Sequence, residues 1–218
     1  LGETTLADAY MPSNSCSFAR SCFNAALRGD FNYLDAFVES TSCDNREKTF
    51  DMWTHYSKVP NLYLINTPHT NTKTAHQFYY QQIVKFKEWL EKIFRTQIPE
   101  DALRNAVSTY NENRSLLKQV YELKLRKPPL ISGTEYLQIA LSGLVMPKTE
   151  HSVLMKRFLD EVETRGDTPR EGLRLMVSGS VMDNLELVKL IEYVGGTVVA
   201  DDWCTGSRYF WNNVELGN

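Results

Sequence analysis

No apolar run in this chain approaches the roughly 18 residues that a membrane span requires, and no segment is of low complexity. Charge of one sign is missing too. Lysine and arginine number 24 against 27 aspartates and glutamates, so the net charge of −3 leaves no basic footprint for nucleic acid. Cysteine is scarce: four residues, at positions 16, 22, 43 and 204, are too few for a dense disulfide framework. The C-x2-C knuckles of structural zinc sites are absent as well. The chain opens on Leu1 rather than Met and is expected to be a segment of a longer protein. With no other mark of secretion, the expected setting is a reducing cytoplasm, where clustered cysteines are structural, redox-active or metal-binding.

What is present is an ordinary globular balance, 42% hydrophobic and 23% charged over 218 residues, enough for one large domain or two modest ones. "LGETTLADAY" reads as strand and loop. "PSNSCSFARSCFNAALRGD" predicts a loop entering a helix, capped by Ser13, Asn14 or Ser15 and ended by Gly29, with Phe18, Cys22, Ala25 and Ala26 on one face. "YLDAFVES" and "NLYLINTP" predict buried strands flanking the amphipathic "NREKTFDMWTHY", the strand–helix–strand grammar of a parallel sheet. Long helices follow: one with Phe78, Ile83, Phe86, Leu90 and Phe94 at helical spacing, and one opening at Pro99 and broken at 128–129. Ser132 and Glu135 form a capping-box pattern, and Pro147 opens another helix. The polar "GDTPREG" at 166–172 predicts a linker. "LRLMVSGS", "NLELVKLIEYVGG" and "TVVADD" then predict a second strand–helix–strand unit. The expected organisation is a first α/β domain with long helices over 1–127, a helical connector over 128–171, and the start of a second, incomplete α/β domain over 172–218.

The cysteines are placed for chemistry. Ligands of open parallel sheets bind beyond the carboxyl ends of the strands. Cys43 and Cys204 each follow a predicted strand, and Cys16 stands at a predicted helix N-terminus, where free N–H groups favour an anion. Thiolates converging from separate loops can hold an iron–sulfur cluster. Plain core packing is the competing reading, and it fits Cys22 best.

The words around these cysteines narrow the choice. "MPSNSCSFAR", "SCDNREKTFDMW", "NTPH", "YNENRSLLKQVYELKLRKPPLISGTE" and the run from Gly179 to Trp211, with "VVADDWCTGSRYFW", occur in order along essentially the whole chain. This ordered set closely resembles the 2-hydroxyacyl-CoA dehydratase / benzoyl-CoA reductase family, with the text nearer the benzoyl-CoA reductase small-subunit branch. The resemblance implies Rossmann/flavodoxin-like parallel sheets in two domains around a 4Fe–4S cluster. It assigns Cys16 and Cys43 as metal ligands, with a third cysteine ligand beyond residue 218, and makes Cys204 a further cofactor-binding candidate. It implies an acyl-CoA substrate, a homologous second subunit, and an ATP-hydrolysing iron–sulfur activator that supplies low-potential electrons for aromatic ring reduction or for radical dehydration of an (R)-2-hydroxyacyl-CoA. A double-cubane cluster protein needs a further cysteine between the first two, and Cys22 lies too close to Cys16. A non-catalytic electron-relay partner is the reading from another class.

Among other residues, His69 in "NTPH" is the catalytic candidate, at a strand tip where an imidazole can face an acyl group or relay a proton. His55, His76 and His151 lie on predicted helices at no metal spacing and are expected at the surface. Arg20 and Arg46 follow the two cluster cysteines and can offset charge or form surface ion pairs. Trp53, Trp89, Trp203 and Trp211 are expected in the core or at interfaces.

Overall fold

A computed structural model describes residues 2–166, 169 and 172–217. The chain divides into two compact units, Leu1–Ile98 and Pro99–Asn218. Each is a mixed α/β arrangement built around a small parallel sheet, and eight α-helices occur among the described residues.

In the first unit α1 (Ser17–Arg28), β1 (Ala36–Ser40), α2 (Asp44–Tyr56), β2 (Asn61–Ile65) and α3 (Lys73–Phe94) follow in order. The two strands run parallel, in register from Ala36 opposite Asn61 to Ser40 opposite Ile65. The predicted strand–helix–strand grammar is thus realised. The Phe37 face of β1 needs covering, and aromatics from α2 do it. The Phe37 ring stacks on Trp53 at 3.9 Å between centroids, and Trp53 also meets Phe31 at 5.5 Å. Phe23 and Ala26 from α1 join Trp53 in this core. Helix α1 stops at Gly29, whose φ of 85° is a left-handed conformation that glycine adopts without a Cβ penalty.

Several expectations need correcting here. "LGETTLADAY" holds no strand among its described residues; a 3₁₀ turn over Ala7–Ala9 packs Ala7 against the α1 core instead. The α1 cap is Cys16, not Ser13, Asn14 or Ser15. Its buried face carries Phe23 and Ala26 with Ala19 and Leu27 beside them, while Phe18 is exposed. The reason is that Phe23 meets Tyr10 and, on α2, Tyr56.

The second unit contains α4 (Glu100–Leu125), α5 (Gly133–Val145), α6 (Lys148–Val162), β3 (Leu173–Ser178), α7 (Glu186–Tyr193), β4 (Gly196–Asp202) and α8 (Ser207–Phe210). Strands β3 and β4 are parallel, from Leu173 opposite Gly196 to Ser178 opposite Asp202, with a register shift at Leu175/Met176. Leu117, Val120, Tyr136, Leu137, Met155, Val188, Val198, Trp203 and Phe210 form one continuous core. The capping box at α5 is present as the sequence predicts: Glu135 N–H donates to Ser132 Oγ, and Ser132 N–H to the Glu135 carboxylate. Glu192 of α7 adds a second lid on the same helix start, accepting from Gly133 N–H and Thr134 Oγ at 2.6 Å each. Helices α4, α5 and α6 pack on one another, and α4 and α5 also pack on β4, within this second unit. The two compact units divide at 98/99. Most of the expected linker at 166–172 lies outside the described residues.

His151 is also corrected. It is 1% exposed, not at the surface. Asn113 of α4 donates to its Nδ1 at 3.0 Å, and its Nε2 lies 3.0 Å from the Ile139 carbonyl. Burial holds its pKa below the ordinary imidazole value.

Candidate functional site

Helix N-caps are ordinarily Ser, Thr, Asp or Asn, whose side-chain oxygens accept from first-turn N–H groups. Both helices that leave the first unit's cysteine loops break this habit. Cys16 is the N-cap of α1 and Cys43 the N-cap of α2, and neither side chain makes a capping hydrogen bond. Their carbonyls nevertheless start the helices: Arg20 N–H donates to Cys16 O, and Arg46 N–H to Cys43 O, each at 3.0 Å. The sulfurs are therefore not engaged in capping, and the positive ends of two helix dipoles stand beside them.

The two helix starts are joined. Cys16 N–H donates to the Asn45 side chain at 3.4 Å, and Asn45 is two residues after Cys43. Cys43 itself lies just past the carboxyl end of β1. The loop after β2 is clamped to the same edge: Thr41 N–H donates to Ile65 O at 3.0 Å and Thr67 N–H to Thr41 Oγ1 at 2.9 Å. Two residues beyond Thr67 comes His69, which is exposed. The carboxyl edge of this sheet thus gathers Cys43 and His69, and through Asn45 the start of α1 with Cys16. Both cysteines are free thiols; Cys43 is exposed and Cys16 half-buried.

The neighbouring cations are engaged. Arg20 pairs with Asp8 at 2.6 Å and Arg46 with Glu39 of β1 at 2.5 Å. Cys204 belongs to the second unit, two residues past β4, exposed and with its N–H on the Ser180 carbonyl. Arg208 reaches its sulfur at 3.6 Å while gripping both carboxylate oxygens of Asp202 at 2.6 Å. That hydrogen bond from Arg208 holds the Asp202 carboxyl below the usual carboxylate range. Cys22 is half-buried on α1, one position away from the core-facing Phe23. Among the described residues, no group of three or more His, Cys, Asp and Glu side chains is arranged to hold a metal ion. The first unit supplies two thiols, a donor pair suited in softness to iron–sulfur ligation. Also among the described residues, no helix is long and apolar enough to cross a membrane.

One polar cluster escaped the sequence reading. Lys124 and Asp201 form an ion pair at 2.7 Å with both side chains 0% exposed. The ammonium lies 3.6 Å from the Tyr136 ring centroid and 4.2 Å from that of Tyr121. Burial pushes the Lys124 pKa down to about 8, against the opposing pull of Asp201. The other Asp201 oxygen accepts Ser207 N–H at 2.8 Å, so the pair sets the turn that carries Cys204 and Arg208. A signal was available: Leu117, Val120, Tyr121 and Lys124 recur at helical spacing, which puts a lysine on an apolar stripe.

Over residues 2–218 the chain matches the family model described as 2-hydroxyglutaryl-CoA dehydratase, D-component. It is 28% identical to one of the subunits of the benzoyl-CoA reductase of Thauera aromatica, over 98% of this chain and 56% of that protein. It is 26% identical to the (R)-phenyllactyl-CoA dehydratase beta subunit of Clostridium sporogenes, over 95% and 56%. To the beta subunit of the (R)-2-hydroxyglutaryl-CoA dehydratase of Acidaminococcus fermentans it is 23% identical, over 92% and 54%. The chain spans about half the length of these relatives. With a family model matched along nearly its whole length, the chain belongs to the 2-hydroxyglutaryl-CoA dehydratase D-component family.

Proposed function

We propose that this chain is part of a subunit of an oxygen-sensitive iron–sulfur enzyme acting on an acyl-CoA thioester in the cytoplasm, with benzoyl-CoA reductase-type ring reduction as the reaction. The observation that carries the proposal is the pair of cysteines set as N-caps of α1 and α2 without capping bonds, tied together through Asn45. Replacing an N-cap Ser, Thr, Asp or Asn commonly costs about 1 kcal/mol. Two such positions given to cysteine at one sheet edge make sense when the sulfurs ligate something else.

In this reading Cys16 and Cys43 are two ligands of a 4Fe–4S cluster, with the remaining ligation from outside the described residues. When bound, the cluster supplies single electrons of very low potential. The first-turn N–H groups of α1 and α2 favour the negative charge that a thiolate-bound cluster carries. His69, on the loop after β2, has the position and chemistry to hand a proton to the reduced acyl group. Cys204 is a further cofactor-binding thiol, on the corresponding edge of the second unit. The units read as portions of Rossmann-like domains. The partners are a homologous second subunit and an ATP-hydrolysing iron–sulfur activator. The relatives named as dehydratases, at 26% and 23% identity against 28% for the reductase, keep (R)-2-hydroxyacyl-CoA dehydration as the second reading.

The test is iron and acid-labile sulfide on the full-length subunit purified anaerobically with its partner. About four of each per subunit is expected, and Cys43→Ala is expected to lose the iron and the activity. A Cys43→Ala protein with full iron would sink the assignment. Activator-dependent consumption of benzoyl-CoA, against turnover of an (R)-2-hydroxyacyl-CoA, separates the two reactions.

A further inference from the structure

Two stretches, "YNENR" at 110–114 and "SRYFW" at 207–211, meet in the second unit. Between α4 and the segment after α8 they leave a cleft of about 360 Å³, lined by Arg114, Ser115, Lys118, Glu122, Trp211 and Asn213 among others. That volume lies within the range of small-molecule sites.

The charge in and behind this cleft is unbalanced. Arg114 is half-buried and lies 6.0 Å from the Tyr110 ring centroid and 5.9 Å from that of Tyr209. Lys148 faces the same two rings at 5.4 and 5.1 Å. Lys118 lies 5.2 Å from the Trp211 centroid. Among the described residues none of these three cations has a carboxylate within ion-pair distance, while Arg20, Arg46, Lys124, Lys156, Arg165 and Arg208 each do. Arg114 makes one neutral hydrogen bond, from Nη1 to Asn111 Oδ1 at 3.2 Å. Its guanidinium fork is otherwise available for phosphate. Glu122 lies a further turn along α4 from Lys118 and leaves the Arg114 end positive. Trp211 is 52% exposed at the mouth. An open indole beside unpaired cations matches a ligand that is flat and aromatic at one end and anionic at the other.

We propose that this cleft binds a phosphorylated adenosine, the base against Trp211 and the phosphate at Arg114 and Lys118. Such a group has two sources, the nucleotide end of coenzyme A or a free adenine nucleotide. The first rests on the acyl-CoA reading above and makes this the anchor for the substrate's non-reacting end.

The experiment measures binding to the full-length subunit with its partner, anaerobically, using coenzyme A, dephospho-coenzyme A, ADP and the acyl-pantetheine thioester that lacks the nucleotide. The variants are Arg114→Met/Lys118→Met and, for a solvent-facing change that spares the fold, Lys118→Met alone. Loss of charge-assisted phosphate bonds is expected to weaken coenzyme A binding about tenfold for Lys118→Met and more for the double variant. Equal loss for coenzyme A and ADP assigns the site to any adenine nucleotide. Loss confined to coenzyme A, with dephospho-coenzyme A bound weakly by the wild type, assigns it to the 3′-phosphate. Wild-type affinity for both in the double variant overturns the proposal. So does a wild type that binds the acyl-pantetheine as tightly as the acyl-CoA. That last result would leave the acyl-CoA reading standing, because the thioester would still be recognised. A wild type that binds neither thioester would instead remove the acyl-CoA reading and, with ADP also unbound, the cleft as well.

Discussion

Lys124→Met is the most informative single change in the second unit. Methionine matches the length and much of the volume of the lysine stem, so the perturbation is the loss of one charge from a site with no solvent. Asp201 is then left buried, with Ser207 N–H as its side-chain partner. Breaking a buried pair by removing one member costs about 3–5 kcal/mol, because the other charge is stranded. The companion variant Lys124→Met/Asp201→Leu removes both charges. It leaves the buried Ser207 N–H without its acceptor, at about 1–3 kcal/mol, but strands no charge. The double variant is therefore expected to be more stable than the single one. The assay is urea denaturation followed by tryptophan fluorescence, with Trp203 buried two residues from Asp201 as a local reporter. A Lys124→Met loss below about 1 kcal/mol, or a double variant no better than the single, would refute the stranded-charge argument.

Two further outcomes follow from the same cluster. The Lys124 pKa falls from 10.5 unfolded to about 8 folded. The unfolded chain therefore binds more protons between these values, and its contribution to stability rises with pH from about 8 upward. Tyr121 and Tyr136, both raised by burial, reverse the trend once unfolded tyrosine ionises above about 10. Equilibrium denaturation at a series of alkaline pH values is expected to show a rise that Lys124→Met lacks. Gly206→Ala is expected to cost about 1–3 kcal/mol, since a Cβ there would stand 2.2 Å from Asp201 Oδ1; a thermal melt unchanged from wild type would contradict this.

The elements were legible where periodicity and punctuation agreed. The α5 capping box needs four consecutive residues and is local, so Ser132 and Glu135 announced it. The two strand–helix–strand units were readable because hydrophobic runs and turn residues bracket them. What the sequence hid depends on the partner across the fold. His151 looked like a surface histidine, but Asn113, thirty-eight residues earlier, holds its ring. Lys124 carries no local mark of its ion pair, because its counter-charge lies seventy-seven residues away. The α1 face was misjudged by one position, since Phe23 lies in the core against Tyr10 and Tyr56. At the candidate site, the position of Cys43 beyond a strand was readable from order alone. That it also caps a helix, and that Asn45 reaches back to Cys16, is decided by tertiary packing that no local pattern encodes.

Strand β3 has a consequence for handling the protein. Parallel sheets are normally buried on both sides, yet Leu173 and Met176 of this strand are 73% and 64% exposed. Among the described residues β3 pairs only with β4, so its other margin keeps a row of unused amide and carbonyl groups. Its one charged side chain, Arg174, is turned onto the carbonyls of Leu125 and Arg126 and does not guard that margin. A ladder left open in this way solicits any extended segment that comes near. Purified on its own, this polypeptide is therefore expected to self-associate along β3 as its concentration rises.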